Sequence, residues 1–166
     1  MIRPSQILFW IYFYMGWYGI VSLGQKQDSI LSLLLPLPPL AYLLWQRELP
    51  FKGYLRAVVL CAAGLIFDSL SNYLGWISFI PAAPFPAIPL WLFSLWLLYF
   101  CYMPLLAKVF QNHWLWALAM GAVFGPLSYF TGTYFELLRF NATYTIFIYA
   151  LFWGTHLMIT ARILWK

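Results

Sequence analysis

The chain has 166 residues, of which 64% are hydrophobic, 22% aromatic and only 8% charged, and its net charge is +5. A typical soluble domain carries about 25% charged residues, so this chain has too little charge to cover a soluble globule. The composition excludes a soluble enzyme, a disordered chain and a small secreted disulfide scaffold, and it indicates a membrane protein. The basic residues stand singly between apolar runs, so they do not form the stripe that nucleic-acid binding requires.

Six apolar runs are candidate transmembrane helices, because about 20 apolar residues cross about 30 Å of hydrocarbon. In chain order they are Gln6–Leu23, Ser29–Trp45 (preceded by Asp28), Leu55–Ile80, Leu90–Ala107, Trp114–Tyr134 and Ala142–Ile163. The sequence therefore predicts an all-α polytopic membrane bundle of six transmembrane helices, forming a single domain over residues 1–166.

The second run is the weakest of the six, because it is short and contains Pro36, Pro38 and Pro39. Each proline removes a backbone donor and disturbs the preceding turn. The alternative prediction is five transmembrane helices plus a re-entrant second segment.

The distribution of lysine and arginine predicts the orientation, because these residues are retained on the cytoplasmic side. With six spans, one side holds only Lys26 and Arg139. The other side holds Arg3, Arg47, Lys52, Arg56, Lys108, Arg162 and Lys166. We expect a multi-pass protein of the bacterial inner membrane with both termini in the cytoplasm. In the five-span alternative, Arg3 and Lys26 change sides, and the distribution of positive charges remains seven against two.

Two features lie on the side with few positive charges. The apolar segment 81–88 contains Pro81, Pro84 and Pro86. It is interpreted as a tight, polyproline-like connection, with a lid over a lateral opening as the alternative. Glu136 and Arg139, at i and i+3, are interpreted as a helix-end ion pair of little energetic weight.

The third run carries an intramembrane carboxyl group. Gly64, Asp68, Asn72 and Gly75 recur at helical spacings and share one face. Asp68 lies about 12 residues, or about 18 Å, from Arg56, at the midplane, where an Asp costs about 2.5–3.5 kcal/mol. Because no Lys or Arg lies at that depth, Asp68 must be protonated, face a wet cavity or be held by hydrogen bonds.

The same depth estimate predicts which side chains lie level with Asp68. Trp96, Gly125 with Pro126, and Tyr149 fall at that level, with Asn72 and Tyr129 about one turn further out. Together with Trp153, these residues form the predicted pocket.

Three other helical faces carry candidate residues. In the fifth span, Gly121, Gly125, Ser128 and Gly132 favour close helix packing; alternatively, Pro126 opens the helical ladder beside Asp68 and exposes carbonyl groups to a cavity. In the sixth, Tyr149, Trp153, His156 and Thr160 share a face, and His156 is either a hydrogen-bonded core residue or a catalytic group. In the first, Gln6, Trp10, Tyr14 and Trp17 form a stripe that we expect to face the bundle.

Metal and cofactor chemistry finds no support in the sequence. His113 and His156 are too far apart to build the many-histidine iron site of a membrane desaturase or hydroxylase. Cys61 and Cys101 lie in apolar runs without CxxC spacing and are interpreted as small core residues. We predict no metal and no cofactor.

The whole chain resembles a family of small bacterial inner-membrane proteins classified only as a domain of unknown function. The resemblance rests on FYMGW (Phe13–Trp17, with Tyr14 where Gln is usual), Gly64, Asp68 and Gly75, PLWLFSLW (Pro89–Trp96), GAVFGPLSY (Gly121–Tyr129), and Trp153 with Gly154. Members of that family often have genes for fatty-acid-modifying enzymes beside their own. The resemblance therefore implies membrane-lipid handling, without naming a reaction.

Three functions remain open. The first is a membrane-lipid protein, either an enzyme or an accessory subunit of a lipid-modifying enzyme. Asp68 and His156 are its catalytic candidates, and Asn72 and Tyr129 lie nearby. The second is a small proton-coupled carrier, for which a homodimer would supply the internal repeat that the chain lacks. The third is a structural or assembly protein in which Asp68 and Asn72 only join helices; it predicts a dry Asp68 with every hydrogen bond satisfied.

Overall fold

The computed structural model describes residues 4–26, 29–47, 49–83 and 86–165, without the side chains of residues 4–9 and 29. The predictions for Arg3, Asp28, Pro84 and Lys166, and for the side chain of Gln6, fall outside these described residues.

The described chain is predominantly helical, with one small sheet. Its elements are α1 (Pro4–Gln25), α2 (Ser29–Ser32), α3 (Leu37–Gln46), α4 (Phe51–Tyr73), β1 (Ile77–Phe79), α5 (Leu90–Phe110), α6 (Trp114–Tyr134), β2 (Leu138–Phe140) and α7 (Thr145–Ile163). Among the described residues, α4, α5, α6 and α7 are long and apolar enough to cross a membrane. The predicted helical fold is thus confirmed, and four of the six predicted spans have the length and hydropathy of a membrane-crossing helix.

Helix α5 occupies the centre of the bundle. Leu98, Tyr102 and Met103 on this helix are completely buried. Helix α1 packs antiparallel along it, because Gly24 of α1 approaches Trp91 near the start of α5, whereas Gly16 approaches Leu98 further along. The remaining helices surround α5 and place their inward side chains against it.

Helices α6 and α7 pack closely through small residues. A Cβ atom added at Gly121 would collide with the carbonyl group of Trp153, and one at Gly154 would lie 2.9 Å from the carbonyl oxygen of Leu118. Such small residues let membrane helices associate by direct backbone approach. The close helix packing predicted for the glycines of α6 is thus found at Gly121, whereas a Cβ atom at Gly132 would meet the side chain of Leu138 in β2.

The second apolar run is broken into α2 and α3. The break falls at residues 33–36, directly before the helix that contains Pro38 and Pro39. Ser32 Oγ lies 2.8 Å from Ser94 Oγ near the start of α5, and the carbonyl of Leu43 accepts a hydrogen bond from Tyr54 near the start of α4. The segment therefore extends in two pieces from the level of the start of α5 to that of the start of α4.

The third predicted span is wrong at its end, because α4 ends at Tyr73 and not at Ile80. Gly75 adopts a φ of +71°, and the amide of Trp76 donates to the carbonyl of Ser71 while that of Gly75 donates to Asn72. This is the Schellman closure of a helix end, for which glycine is favoured. Gly75 therefore terminates the helix and does not belong to the face of Asp68.

The all-α prediction misses the sheet that follows. β1 pairs antiparallel with β2, with Ile77 opposite Phe140, Ser78 opposite Arg139 and Phe79 opposite Leu138. Strand β2 follows α6, and the sixth span begins at Thr145 and not at Ala142. We call the end of the bundle that carries this sheet the sheet end.

The connection before α5 is held against α4 by side-chain hydrogen bonds. Ser69 Oγ donates to the carbonyl of Pro86 (2.9 Å), and Asn72 Nδ2 donates to that of Ala83 (3.0 Å). The indole of Trp91 donates to the carbonyl of Ile80 (3.2 Å). The described parts of segment 81–88 thus form a connection anchored at both of its ends.

Candidate functional site

The carboxyl group of Asp68 joins four helices. Asp68 is completely buried in α4. Its Oδ2 atom accepts from the indole Nε1 of Trp96 on α5 at 2.7 Å. The hydroxyl of Tyr129 on α6 lies 2.7 and 2.8 Å from the two carboxyl oxygens, and that of Tyr149 on α7 lies 3.3 Å from Oδ1. We call these four residues the Asp68 network.

The side-chain donors to Asp68 among the described residues are uncharged. A buried carboxyl group is costly unless hydrogen bonds replace its hydration. Three side chains supply those bonds here, and each comes from a different helix. The network therefore holds α5, α6 and α7 in one arrangement around α4. Of the three states predicted for Asp68, the geometry matches the one in which hydrogen bonds hold the group.

Glycines create the space in which the network packs. A Cβ atom at Gly64, one turn before Asp68, would overlap the indole ring of Trp96. A Cβ atom at Gly125, one turn before Tyr129, would overlap the indole of Trp153. The two indoles stack with ring centroids 5.1 Å apart and an interplanar angle of 11°. Both glycines thus allow an indole to lie directly against a helix backbone.

Four predicted pocket residues do not contact Asp68 through a hydrogen bond: Gly125 and Trp153, which pack against each other, and Asn72 and Pro126. Asn72 uses its amide to hold segment 79–83, since its Oδ1 also accepts from the amide of Phe79 at 3.3 Å. Pro126 is buried inside α6, which continues as one helix from Trp114 to Tyr134. Asn72 therefore belongs to the sheet end, and Pro126 belongs to the packed body of α6.

His156 lies near the Asp68 network but is bonded to other groups. Its Nε2 atom is 3.1 Å from the carbonyl oxygen of Leu60, and its Nδ1 atom is 3.4 Å from the hydroxyl of Tyr99. Its ring centroid lies 5.7 Å from that of Trp96 and 5.6 Å from that of Trp153. Asp68 and His156 thus contact the same indole without forming a direct acid–base pair.

A long cleft of about 580 Å³ lies on the opposite side of the network, between α1, α5 and α6. Its lining includes Trp10, Tyr14, Trp17, Leu95, Trp96, Tyr99, Phe124, Ser128, Tyr129, Thr131, Gly132, Leu138 and Trp153. We call it the aromatic cleft. The stripe predicted on the first span thus faces this cleft, through Trp10, Tyr14 and Trp17.

The aromatic cleft extends along most of the bundle. On α5 its lining reaches from Trp91 to Phe110, 19 residues or about 28 Å at 1.5 Å per residue, which is close to the hydrocarbon thickness of about 30 Å. Half-exposed side chains border it, including Phe124 and Leu127. Its volume falls in the range of about 300–1,000 Å³ that is typical of small-molecule sites.

Trp96 and Tyr129 belong to both features. Their polar atoms bond to Asp68, and the same residues line the cleft, whereas no residue of α4 lines it within the described part of the chain. We call this pair the shared wall. Asp68 lies behind the wall and fixes its position without reaching the cleft.

Tyr99 is the functional-site residue that the sequence reasoning missed. It lines the cleft, lies beside His156, and has its ring centroid 5.4 Å from that of Trp153. It follows Trp96 at i+3 on α5, and this helical spacing puts the two residues on the same side of the helix.

Comparison with known proteins gives one match. A family model described as a protein of unknown function (DUF2878) matches residues 6–159. The comparisons with curated proteins and with solved structures found no match.

Proposed function

Since the chain belongs to the DUF2878 family of proteins of unknown function, we propose a role from its own geometry: it binds a lipid acyl chain in the aromatic cleft. The observation that carries the proposal is a cleft of about 580 Å³, nearly as long as the hydrocarbon layer is thick, with an almost wholly apolar and aromatic lining. At that depth the surrounding solvent is lipid, so acyl chains are the molecules that enter such a groove.

The proposal includes the membrane arrangement. The two-piece α2–α3 segment and α1 accompany the four long helices as spans, giving six in total. The protein lies in the bacterial inner membrane, and the side with Arg47, Lys52 and Arg56 faces the cytoplasm.

Asp68 acts in this proposal by positioning the shared wall. The carboxyl group is completely buried, and Trp96 and Tyr129 lie between it and the cleft. A lipid in the cleft therefore meets the indole and the phenol ring before the carboxyl group. This arrangement favours an accessory protein that holds lipid for a lipid-modifying enzyme over catalysis by Asp68 and His156.

A structural or assembly protein is the second candidate. It is favoured by the three side-chain donors that satisfy a completely buried Asp68. A proton-coupled carrier needs a water path to this carboxyl group, and its complete burial gives that function no support.

The test is whether lipid retention depends on the cleft. Ser128→Phe fills the cleft from α6, and Val123→Phe adds the same side chain at an exposed position outside the lining. Native mass spectrometry of the detergent-purified protein counts the phospholipids that remain bound. We expect the wild type and Val123→Phe to retain a phospholipid and Ser128→Phe to lose it.

The two candidates give different results in this experiment. A structural protein retains equal, low amounts of lipid in all three forms. Equal retention by Ser128→Phe and Val123→Phe overturns the lipid-binding proposal. Circular dichroism and thermal unfolding of each variant establish that the comparison is made between folded proteins.

A further inference from the structure

A polar pocket lies beside the aromatic cleft at the sheet end. The cleft ends at Thr131, Gly132 and Leu138. The polar pocket is lined by Thr133, Glu136, Leu138, Arg139 and Phe140. Leu138 lines both, so an apolar groove and a charged pocket lie next to each other.

Glu136 and Arg139 do not form the helix-end ion pair that their spacing predicts. Helix α6 ends at Tyr134, and Glu136 adopts a left-handed φ of 58°, while Arg139 lies in strand β2. The structure gives neither of these two described residues an ion pair or a side-chain hydrogen bond. Two opposite charges thus line one pocket without neutralising each other.

The pocket lies at the depth of lipid headgroups. Helix α6 extends nine residues from Gly125, which the residue count places level with Asp68, to its end at Tyr134. This corresponds to about 14 Å, close to the half-thickness of the hydrocarbon layer of about 15 Å, and Glu136 follows two residues later. A lipid whose chain occupies the cleft therefore places its headgroup beside Glu136 and Arg139.

The charges define the chemistry of that headgroup. A guanidinium binds phosphate with two parallel hydrogen bonds. A carboxylate accepts charge-assisted hydrogen bonds from a primary ammonium group. We propose that the cleft and the polar pocket together bind an aminophospholipid, with its phosphate on Arg139, its primary ammonium on Glu136 and an acyl chain along the shared wall. This inference rests on the proposed lipid-binding function.

The test is a competition between headgroups with identical acyl chains. The purified protein is incubated with equal amounts of phosphatidylethanolamine, phosphatidylcholine and phosphatidylglycerol, and native mass spectrometry measures the retained lipids. We expect about a fivefold preference for phosphatidylethanolamine, the size of effect that one charge contact gives at a membrane surface. A quaternary ammonium cannot donate a hydrogen bond, and a glycerol headgroup has no cation for Glu136.

Two variants separate the two contacts. Glu136→Gln should lower retention of phosphatidylethanolamine to the level of phosphatidylcholine, while retention of phosphatidylcholine and phosphatidylglycerol stays the same. Arg139→Gln should lower retention of all three phospholipids by about fivefold, because all three carry the phosphate. Lys26→Gln removes another exposed cation outside both linings and should change neither quantity.

The outcomes distinguish this inference from the function on which it rests. Equal retention of the three lipids by the wild type, or an unchanged preference in Glu136→Gln, overturns the aminophospholipid site but leaves a cleft that binds acyl chains. Retention that does not respond to Ser128→Phe overturns the lipid-binding function itself.

Discussion

The two sides of the shared wall differ in polarity and in packing. On the α4 side, three donors converge on one carboxyl group and the packing leaves Asp68 completely buried. On the cleft side, the same Trp96 and Tyr129 line a groove of about 580 Å³ with a mainly apolar lining. Polar contacts in this bundle therefore hold the helices together, whereas apolar and aromatic side chains line the cleft.

The largest expected loss in the free energy of unfolding comes from a substitution that displaces the shared wall from α4. A side chain at Gly64 would overlap the indole of Trp96, and overpacking of this kind costs about 1–3 kcal/mol or more. Gly64→Leu should therefore lower the free energy of unfolding by at least that amount, measured by denaturant unfolding in micelles. Ala63→Leu on the exposed neighbouring face is the matched control, and equal loss in both variants would contradict the packing account.

A smaller loss in the free energy of unfolding is expected when the shared wall loses Asp68, the acceptor of its hydrogen bonds. Asp68→Ala removes the partner of three interhelical hydrogen bonds, which average about 0.6 kcal/mol each in a membrane. The loss in the free energy of unfolding should be about 2 kcal/mol. Asp68→Asn keeps one carbonyl oxygen and should lose less. On the cleft side, the half-exposed Leu127→Ala should cost less than about 0.5 kcal/mol; a similar cost for Leu127→Ala and Asp68→Ala would remove the distinction between the two sides.

The smallest effect compares the two stacked indoles. Trp96 donates to Asp68, whereas Nε1 of Trp153 makes no hydrogen bond of standard geometry among the described residues. Each Trp→Phe change keeps an aromatic ring, so the difference between the variants isolates the hydrogen bond. Trp96→Phe should lower the free energy of unfolding by about 0.6 kcal/mol more than Trp153→Phe. Thermal unfolding followed by circular dichroism measures this difference, and a larger cost for Trp153→Phe would be the opposite result.

Depth along a helix can be predicted from the sequence, and this accounts for much of the site. Counting residues from the charged ends placed Trp96 and Tyr149 level with Asp68, and both bond to it. The same count predicts Tyr129 about one turn further out, but its long side chain reaches the carboxyl group. The bounds of α6 also follow directly from its apolar run, Trp114 to Tyr134.

The neighbour that each helix face contacts cannot be predicted by counting residues along the helix. The aromatic cleft depends on which helices are neighbours, and a single sequence gives no order for them in a bundle. The sheet is hidden for a related reason, because strands of three residues such as Ile77–Phe79 have too few positions for a periodicity. The end of α4 could have been predicted, since Gly75 after an apolar helical run is a typical termination signal.

The order of the network along the chain has a consequence for biogenesis. The three side-chain donors that the described part of the chain gives to Asp68 lie after it, at separations of 28, 61 and 81 residues. During co-translational insertion, α4 enters the bilayer with an unsatisfied carboxyl group that costs about 2.5–3.5 kcal/mol at the midplane. Only when α7 arrives is the last of these bonds made. A nascent chain truncated before Tyr149 therefore presents an incomplete carboxyl site, which gives membrane quality-control proteases a chemical difference between unfinished and finished copies.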